Sequence, residues 1–343
     1  MGKTGKKTLR AAVVGFGGYG SAHARKYLDN PDVELAAIVD CNPERLRLAA
    51  AQFPEVARFT GFGDLKGRVD IASVVVPAVQ HRAVAERLLE EDIHLLVEKP
   101  FTTTASAARD LMALARKRGR VLQPGYLERF TGTLEEIRLC LPAPRYVEAR
   151  RMTRWRERGS DVSVVHDLMI HDIDMLLELV SGPLVDVQAR GVRIFSDQWD
   201  VVNARLRFAG GCVANLTASR ASLLPERRLH VFSDDACALA NLDSGIVLLQ
   251  QRESDRPTVV RERCIYRNSD PLAAEIGAFV HAIRECHRPV VTAKDACRAL
   301  EVAERITAAV EHDNAVVAQT ATPMTDSGKV IACFFEHRIR PGK

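Results

Sequence analysis

The sequence predicts an α/β half followed by an α+β half: an N-terminal doubly wound parallel sheet, then a domain with a large, mostly antiparallel, open-faced sheet. From Leu9 to Gly125, short runs of Val, Ile and Leu alternate with amphipathic segments. That alternation requires crossover connections, and therefore parallel strands covered on both faces. Beyond about residue 128, strand-like runs follow one another without intervening helices, which favours antiparallel pairing. The chain has 343 residues, more than one hydrophobic core usually organises, so a boundary is expected between residues 1–127 and 128–343.

In the first half, strands are expected at residues 9–14, 33–39, 71–76, 94–97 and 120–123, with helices at 83–90 and 105–117. In the second half, a helix at 132–139 leads to a strand at 146–152, and a longer helix covers 164–180. Strand-like runs follow at 185–194, 201–208, 212–218, 228–232, 236–242 and 246–250, and helices at 272–285 and 294–311 complete the pattern. From Asn314 onward no period is evident, and no element is assigned.

Composition removes several function classes. With 47% hydrophobic residues, 27% charged residues and a formal charge of +4, the chain gives no reason to expect a nucleic-acid or membrane partner. No apolar stretch reaches the roughly 18 uncharged residues of a membrane helix. The short basic start leads directly into a strand-like run instead of the apolar core of a signal peptide, so a cytoplasmic location is expected. The eight cysteines include no Cys-x-x-Cys pair and read as free thiols in a reducing compartment, with no metal site implied.

Directly behind the first strand comes Gly15-Phe16-Gly17-Gly18-Tyr19-Gly20, a Gly-x-Gly-x-x-Gly pattern that opens a helical segment. Glycines there permit a tight turn and close backbone approach, and the helix N-terminus offers its amides and dipole to a pyrophosphate. The second strand ends at Asp40, 20 residues beyond Gly20. A carboxylate there can accept hydrogen bonds from the adenosine ribose and repels a 2′-phosphate, so a Rossmann domain that takes NAD in preference to NADP is expected.

A second motif, Glu98-Lys99-Pro100, follows an apolar strand, and an upstream strand ends at Val76-Pro77 with His81 four residues on. A third, His166-Asp167-Leu168-Met169-Ile170-His171-Asp172-Ile173-Asp174, lies in the long helix. On an ideal helix Asp167, His171 and Asp174 share one face, while His166 and Asp172 point elsewhere. With the glycines, these motifs resemble the Gfo/Idh/MocA oxidoreductase family over residues 9–313. The resemblance implies that Lys99 stands by the nicotinamide and stabilises charge on the reacting oxygen, that His171 is the general acid/base and that Asp167 contacts substrate or supports the histidine. It further implies that Asp174 orients His171, and that Pro77, His81, Glu98 and Gln123 join the glycines, Tyr19 and Asp40 at the cofactor. Met169 stands where the family pattern has glycine, a change expected to narrow the pocket.

Arg150, Arg151, Arg154, Trp155, Arg156 and Arg158 precede that helix, with more arginines at 129, 220, 227 and 228. Guanidinium forks suit phosphate oxygens and an indole face can stack on a base, so Arg129, Arg154, Trp155 and Arg156 are candidate contacts to a nucleotide sugar. A solvated loop accounts for the same cluster. Segments such as Tyr126-Leu127-Glu128-Arg129-Phe130 and Ala218-Ser219-Arg220 resemble the bacterial branch of the family that oxidises the 3-hydroxyl of UDP-N-acetylglucosamine. In that branch an aminotransferase then makes a 3-amino sugar for lipid A. The alternatives are a free polyol or sugar dehydrogenase, an NAD-dependent glycosidase and a non-catalytic NAD(H) sensor. The family also implies a homodimer or homotetramer formed through the open sheet face.

Overall fold

The computed structural model describes residues 8–157, 159–253, 256–264 and 270–320. Arg158 and the tail beyond Thr320 lie outside the described residues. The first sheet has six parallel strands: β1 (Leu9–Val14), β2 (Val33–Val39), β3 (Ala57–Phe59), β4 (Ile71–Val74), β5 (His94–Glu98) and β6 (Leu122–Gly125). Their order is β3-β2-β1-β4-β5-β6. Helices α1 (Gly18–Leu28), α2 (Pro43–Gln52), α3 (His81–Glu90) and α4 (Ala105–Arg118) make the crossovers. Every residue of β4 is buried, as expected for a strand covered on both faces. Helix α2 and strand β3 were absent from the sequence-based assignment. The helix is nonetheless locally encoded, since Asn42 accepts a bond from the amide of Glu44 and Pro43 occupies the first turn.

Helix α5 (Thr133–Cys140) leads to the second sheet. It comprises β7 (Tyr146–Met152), β8 (Leu184–Val192), β9 (Val201–Phe208), β10 (Val213–Ser219), β11 (Glu226–Phe232), β12 (Ala236–Asn241), β13 (Ile246–Glu253) and β14 (Arg256–Cys264). The order is β14-β13-β12-β11-β7-β10-β9-β8. All neighbours are antiparallel except β7 and β10, which run parallel. Alternating burial along β7 and β9 leaves one face covered and the other open. The edge strand β14, rich in arginine, escaped the hydrophobic pattern because an edge tolerates charge.

Helix α6 (Ile170–Leu179) packs on the covered face, preceded by a turn of π-helix at Val165–Met169. Two late helices lie elsewhere. Helix α7 (Pro271–Arg284) places Leu272, Ile276, Phe279 and Val280 in the core that lines the parallel sheet. Helix α8 (Ala293–Thr320) packs on α4, α6 and β8 and joins the two sheets. It runs past the expected end at residue 311, because residues 312–320 contain no Gly or Pro and Asn314 Nδ2 donates to the carbonyl of Val310 at 2.8 Å. Among the described residues, no helix is long and apolar enough to cross a membrane.

Candidate active site

The glycine turn is a cradle whose shape depends on the absence of side chains. Gly15 has φ +97°, and a Cβ there would stand 2.5 Å from the carbonyl oxygen of Val75. A Cβ on Gly20 would stand 1.9 Å from the carbonyl oxygen of Gly15, so glycine alone lets α1 seat against the turn. At Gly17 and Gly18 an added Cβ would meet nothing within 4 Å, which marks the open side. No side chain caps α1 and no acidic residue occupies its first turn, so no side chain or negative charge there competes with an anion. Asp40 is fixed at the end of β2: Oδ2 accepts from the amide of Phe16 at 2.7 Å and Oδ1 from the amide of Asn42 at 2.8 Å. A bare cradle at an uncapped helix N-terminus and a fixed carboxylate fit a dinucleotide whose ribose hydroxyls are free.

Several expected cofactor residues lie beneath the cleft. Pro77 is exposed after β4, and Tyr19 packs its ring 5.4 Å from that of His23. His81 is buried, with Nδ1 2.8 Å from the carbonyl oxygen of Pro100 and Nε2 2.9 Å from that of Val76, so it ties together the two turns that flank the cleft. Glu98 is also buried, 3.1 Å from His23 Nε2. Gln123 is fully buried and donates to the carbonyl of Glu275 on α7. His81, Glu98 and Gln123 are thus held from within the protein, while Gln123 Oε1 has no hydrogen-bond partner among the described residues.

Lys99, at the end of β5, reaches across to the helix of the second domain. Its Nζ donates to Asp167 Oδ1 at 3.0 Å and to the backbone carbonyl of Asp167 at 2.7 Å. Gly159, at φ +84°, lets residues 159–163 pass directly over that carboxylate, since a Cβ would come 2.7 Å from Asp167 Oδ2. Asp167 lies within the π-turn, so the ideal α-helical face is distorted at the site, a common position for such turns.

His171 is 13% exposed and its Nδ1 has no hydrogen-bond partner among the described residues. Burial, reinforced by the cations Lys99, Arg151 and Arg227, pushes its imidazole well below the usual histidine range. His171 is therefore neutral at neutral pH and able to accept a proton. Asp174 is not its orienter: Arg129 holds that carboxylate with bonds of 2.7 and 2.8 Å. Glu128 is the carboxylate near the imidazole, with Oε1 4.0 Å from Nδ1, too far for a hydrogen bond but close enough to stabilise an imidazolium. It accepts at 2.8 Å from Arg151, which also binds Asp172. Asp172, which the helical wheel turned away from the site, is thus tied to it through Arg151 and Glu128. Glu128 was visible only as part of a family-like segment, because its role depends on a contact with a helix about 40 residues later.

Two further expectations change. Met169 is fully buried in the apolar core, so it does not narrow the pocket. Arg129 is engaged by Asp174 and Glu178 and its side chain is only 9% exposed, so it is an internal tie and not a substrate contact. Arg154, Trp155 and Arg156 are exposed on the loop that continues to Gly159. Arg154 donates to the carbonyl of Leu223, and Trp155 packs against Phe195.

A dinucleotide cradle that opens toward a lysine, a carboxylate and a neutral histidine defines a nicotinamide-dependent oxidoreductase. Residues 9–126 match the model described as an oxidoreductase family with an NAD-binding Rossmann fold, and residues 128–238 match the GFO/IDH/MocA C-terminal domain. The chain belongs to the Gfo/Idh/MocA family. It is 36% identical over 287 residues to UDP-N-acetylglucosamine 3-dehydrogenase of Acidithiobacillus ferrooxidans, covering 82% of this chain and 90% of that protein. A solved structure of that enzyme superposes with a TM-score of 0.82 at 33% identity, covering 90% of this chain and 99% of the other. Inositol 2-dehydrogenase of Rhizobium meliloti is more distant, 22% identical over 87% of this chain and 95% of its own length.

Proposed function

We propose that this NAD-dependent dehydrogenase oxidises a sugar hydroxyl of a nucleotide sugar, the 3-hydroxyl of UDP-N-acetylglucosamine being the favoured case, with residues 128 onward supplying the substrate domain. The observation that carries the chemistry is the meeting of Lys99, from the end of the parallel sheet, with Asp167 and the neutral His171 from the second domain. The named activity of the 36% identical relative supports the sugar and the position oxidised.

His171 accepts the hydroxyl proton, and the Glu128 carboxylate offsets the charge it gains. Asp167 holds the Lys99 ammonium, whose remaining donor capacity stabilises the oxygen as negative charge develops there. When bound, the nicotinamide takes up the hydride from the carbinol carbon. Asp40 favours NAD, because its fixed carboxylate would face a 2′-phosphate. Cys41, Cys212, Cys237, Cys286 and Cys297 form no disulfide, in keeping with a reducing, cytoplasmic compartment, and the open face of the second sheet is the surface by which copies would pair.

The test is NADH formation with NAD and UDP-N-acetylglucosamine, UDP-glucose, free N-acetylglucosamine or myo-inositol, with a carbonyl trap to draw the equilibrium forward. Trap-dependent NADH with UDP-N-acetylglucosamine supports the proposal. Turnover of myo-inositol alone would replace it with a polyol dehydrogenase.

A further inference from the structure

The arginines that made an anionic substrate attractive are sorted by the tertiary structure, and most are already engaged. Arg151 is buried and Arg129 largely so, each against carboxylates, as described above. Arg220 is buried as well, donating to Asp200 and to the carbonyls of Gly159 and Val162. Arg150 and Arg228 both pair with Glu226 and are exposed.

Arg227 differs. Strand register sets it directly opposite Arg151, and Leu229 and Val231 beyond it are buried. Period-2 alternation therefore puts Arg227 on the covered face with Arg151, and Arg150 and Arg228 on the open face. Its side chain is 44% exposed, and its ion pair with Asp243 is long, 3.5 Å from Nε to Oδ1. It is also close enough to His171 to disfavour protonation of the imidazole. The covered face thus holds a solvent-accessible, loosely paired guanidinium beside the general base.

We propose that Arg227 recognises the diphosphate of a nucleotide-sugar substrate and so sets the preference for an anionic sugar over a free one. This rests on the function proposed above. A diphosphate carries more charge than Asp243 and can engage a guanidinium through two parallel bonds, so it displaces the weak pair. The sugar then extends from Arg227 toward His171 and Lys99.

The experiment compares wild type, Arg227→Ala, Arg227→Lys and Arg228→Ala with NAD, by steady-state kinetics on UDP-N-acetylglucosamine and by calorimetric binding of UDP to the NADH-loaded enzyme. Arg227→Ala should raise KM for the nucleotide sugar by roughly tenfold or more, with a smaller change in kcat, and weaken UDP binding by a similar factor. Arg227→Lys should recover part of both, and Arg228→Ala neither gain nor lose. The acidic limb of the Arg227→Ala pH profile should also move upward, since Lys99, Arg151 and Glu128 are then left to face His171 without that cation. Equal effects of Arg227→Ala and Arg228→Ala, or unchanged UDP affinity in Arg227→Ala, would overturn the proposal. If the wild type does not oxidise UDP-N-acetylglucosamine, the substrate assignment fails on its own. UDP binding then still decides the role of Arg227: binding lost in Arg227→Ala supports it, and no binding by the wild type removes it.

Discussion

Gly159→Ala tests whether the loop over the active site holds Asp167 in place. The substitution puts a methyl 2.7 Å from Asp167 Oδ2 and 3.0 Å from Cγ, at a backbone φ of +84° that L residues rarely adopt. The backbone conformation costs about 1–2 kcal/mol of stability. The contact forces either the loop or the carboxylate to move, and the carboxylate carries the 3.0 Å bond to Lys99. A hydrogen bond between charged groups contributes about 1.5–3 kcal/mol. Losing it in the transition state lowers kcat/KM by roughly 10- to 150-fold. Gly211→Ala is the control: φ there is +86°, but an added Cβ meets nothing within 4 Å. Both variants should lose the thermal stability that the backbone conformation costs, Gly159→Ala somewhat more because of its contact, and only Gly159→Ala should lose activity in the NADH assay. A folded Gly159→Ala enzyme within about twofold of wild-type kcat/KM would show that the loop does not position Asp167.

Replacement of His171 by Asn should lower turnover by roughly 100-fold or more with NAD affinity retained in a fluorescence titration, and near wild-type turnover would remove His171 from the reaction. Because burial and three cations lower the imidazole pKa, His171 stays neutral as pH falls through the ordinary histidine range, so the acidic limb of kcat/KM should lie below about pH 6.5. A limb at or above that value contradicts the assignment. Asp40→Ser should improve NADP affinity relative to NAD, and an unchanged ratio would show that the carboxylate does not select the cofactor. Arg151→Met leaves the buried carboxylate of Asp172 and the half-buried one of Glu128 without their guanidinium, an expected loss of about 3–5 kcal/mol in urea unfolding; a loss under about 1 kcal/mol would mean that the Arg151–Asp172 pair is not charged.

Much of the cofactor half was legible because its signals are local. The Gly15–Gly20 turn, the strand ending at Asp40 and the strand before Lys99 each follow from neighbouring residues and from burial on both faces of a parallel sheet. The catalytic candidates Lys99, Asp167 and His171 were legible through motifs, but their meeting was not, since Lys99 and Asp167 are 68 residues apart. Helical spacing gave the faces of Asp172 and Asp174 but could not see their partners: Arg151 on β7 claims one, and Arg129 after β6 claims the other.

What the sequence by itself determined was the class of fold, the dinucleotide turn and the types of residue that do the chemistry, all encoded in periodicity and short spacings. Tertiary structure alone decided which charges are free. It buried Arg151 and Arg220 against carboxylates and carbonyls, tied Arg129 to Asp174 and Glu178, turned Met169 into the core, and left Arg227 accessible beside His171. The physical reason is that an arginine's role depends on whether a partner compensates its desolvation, and that partner can come from any point along the chain.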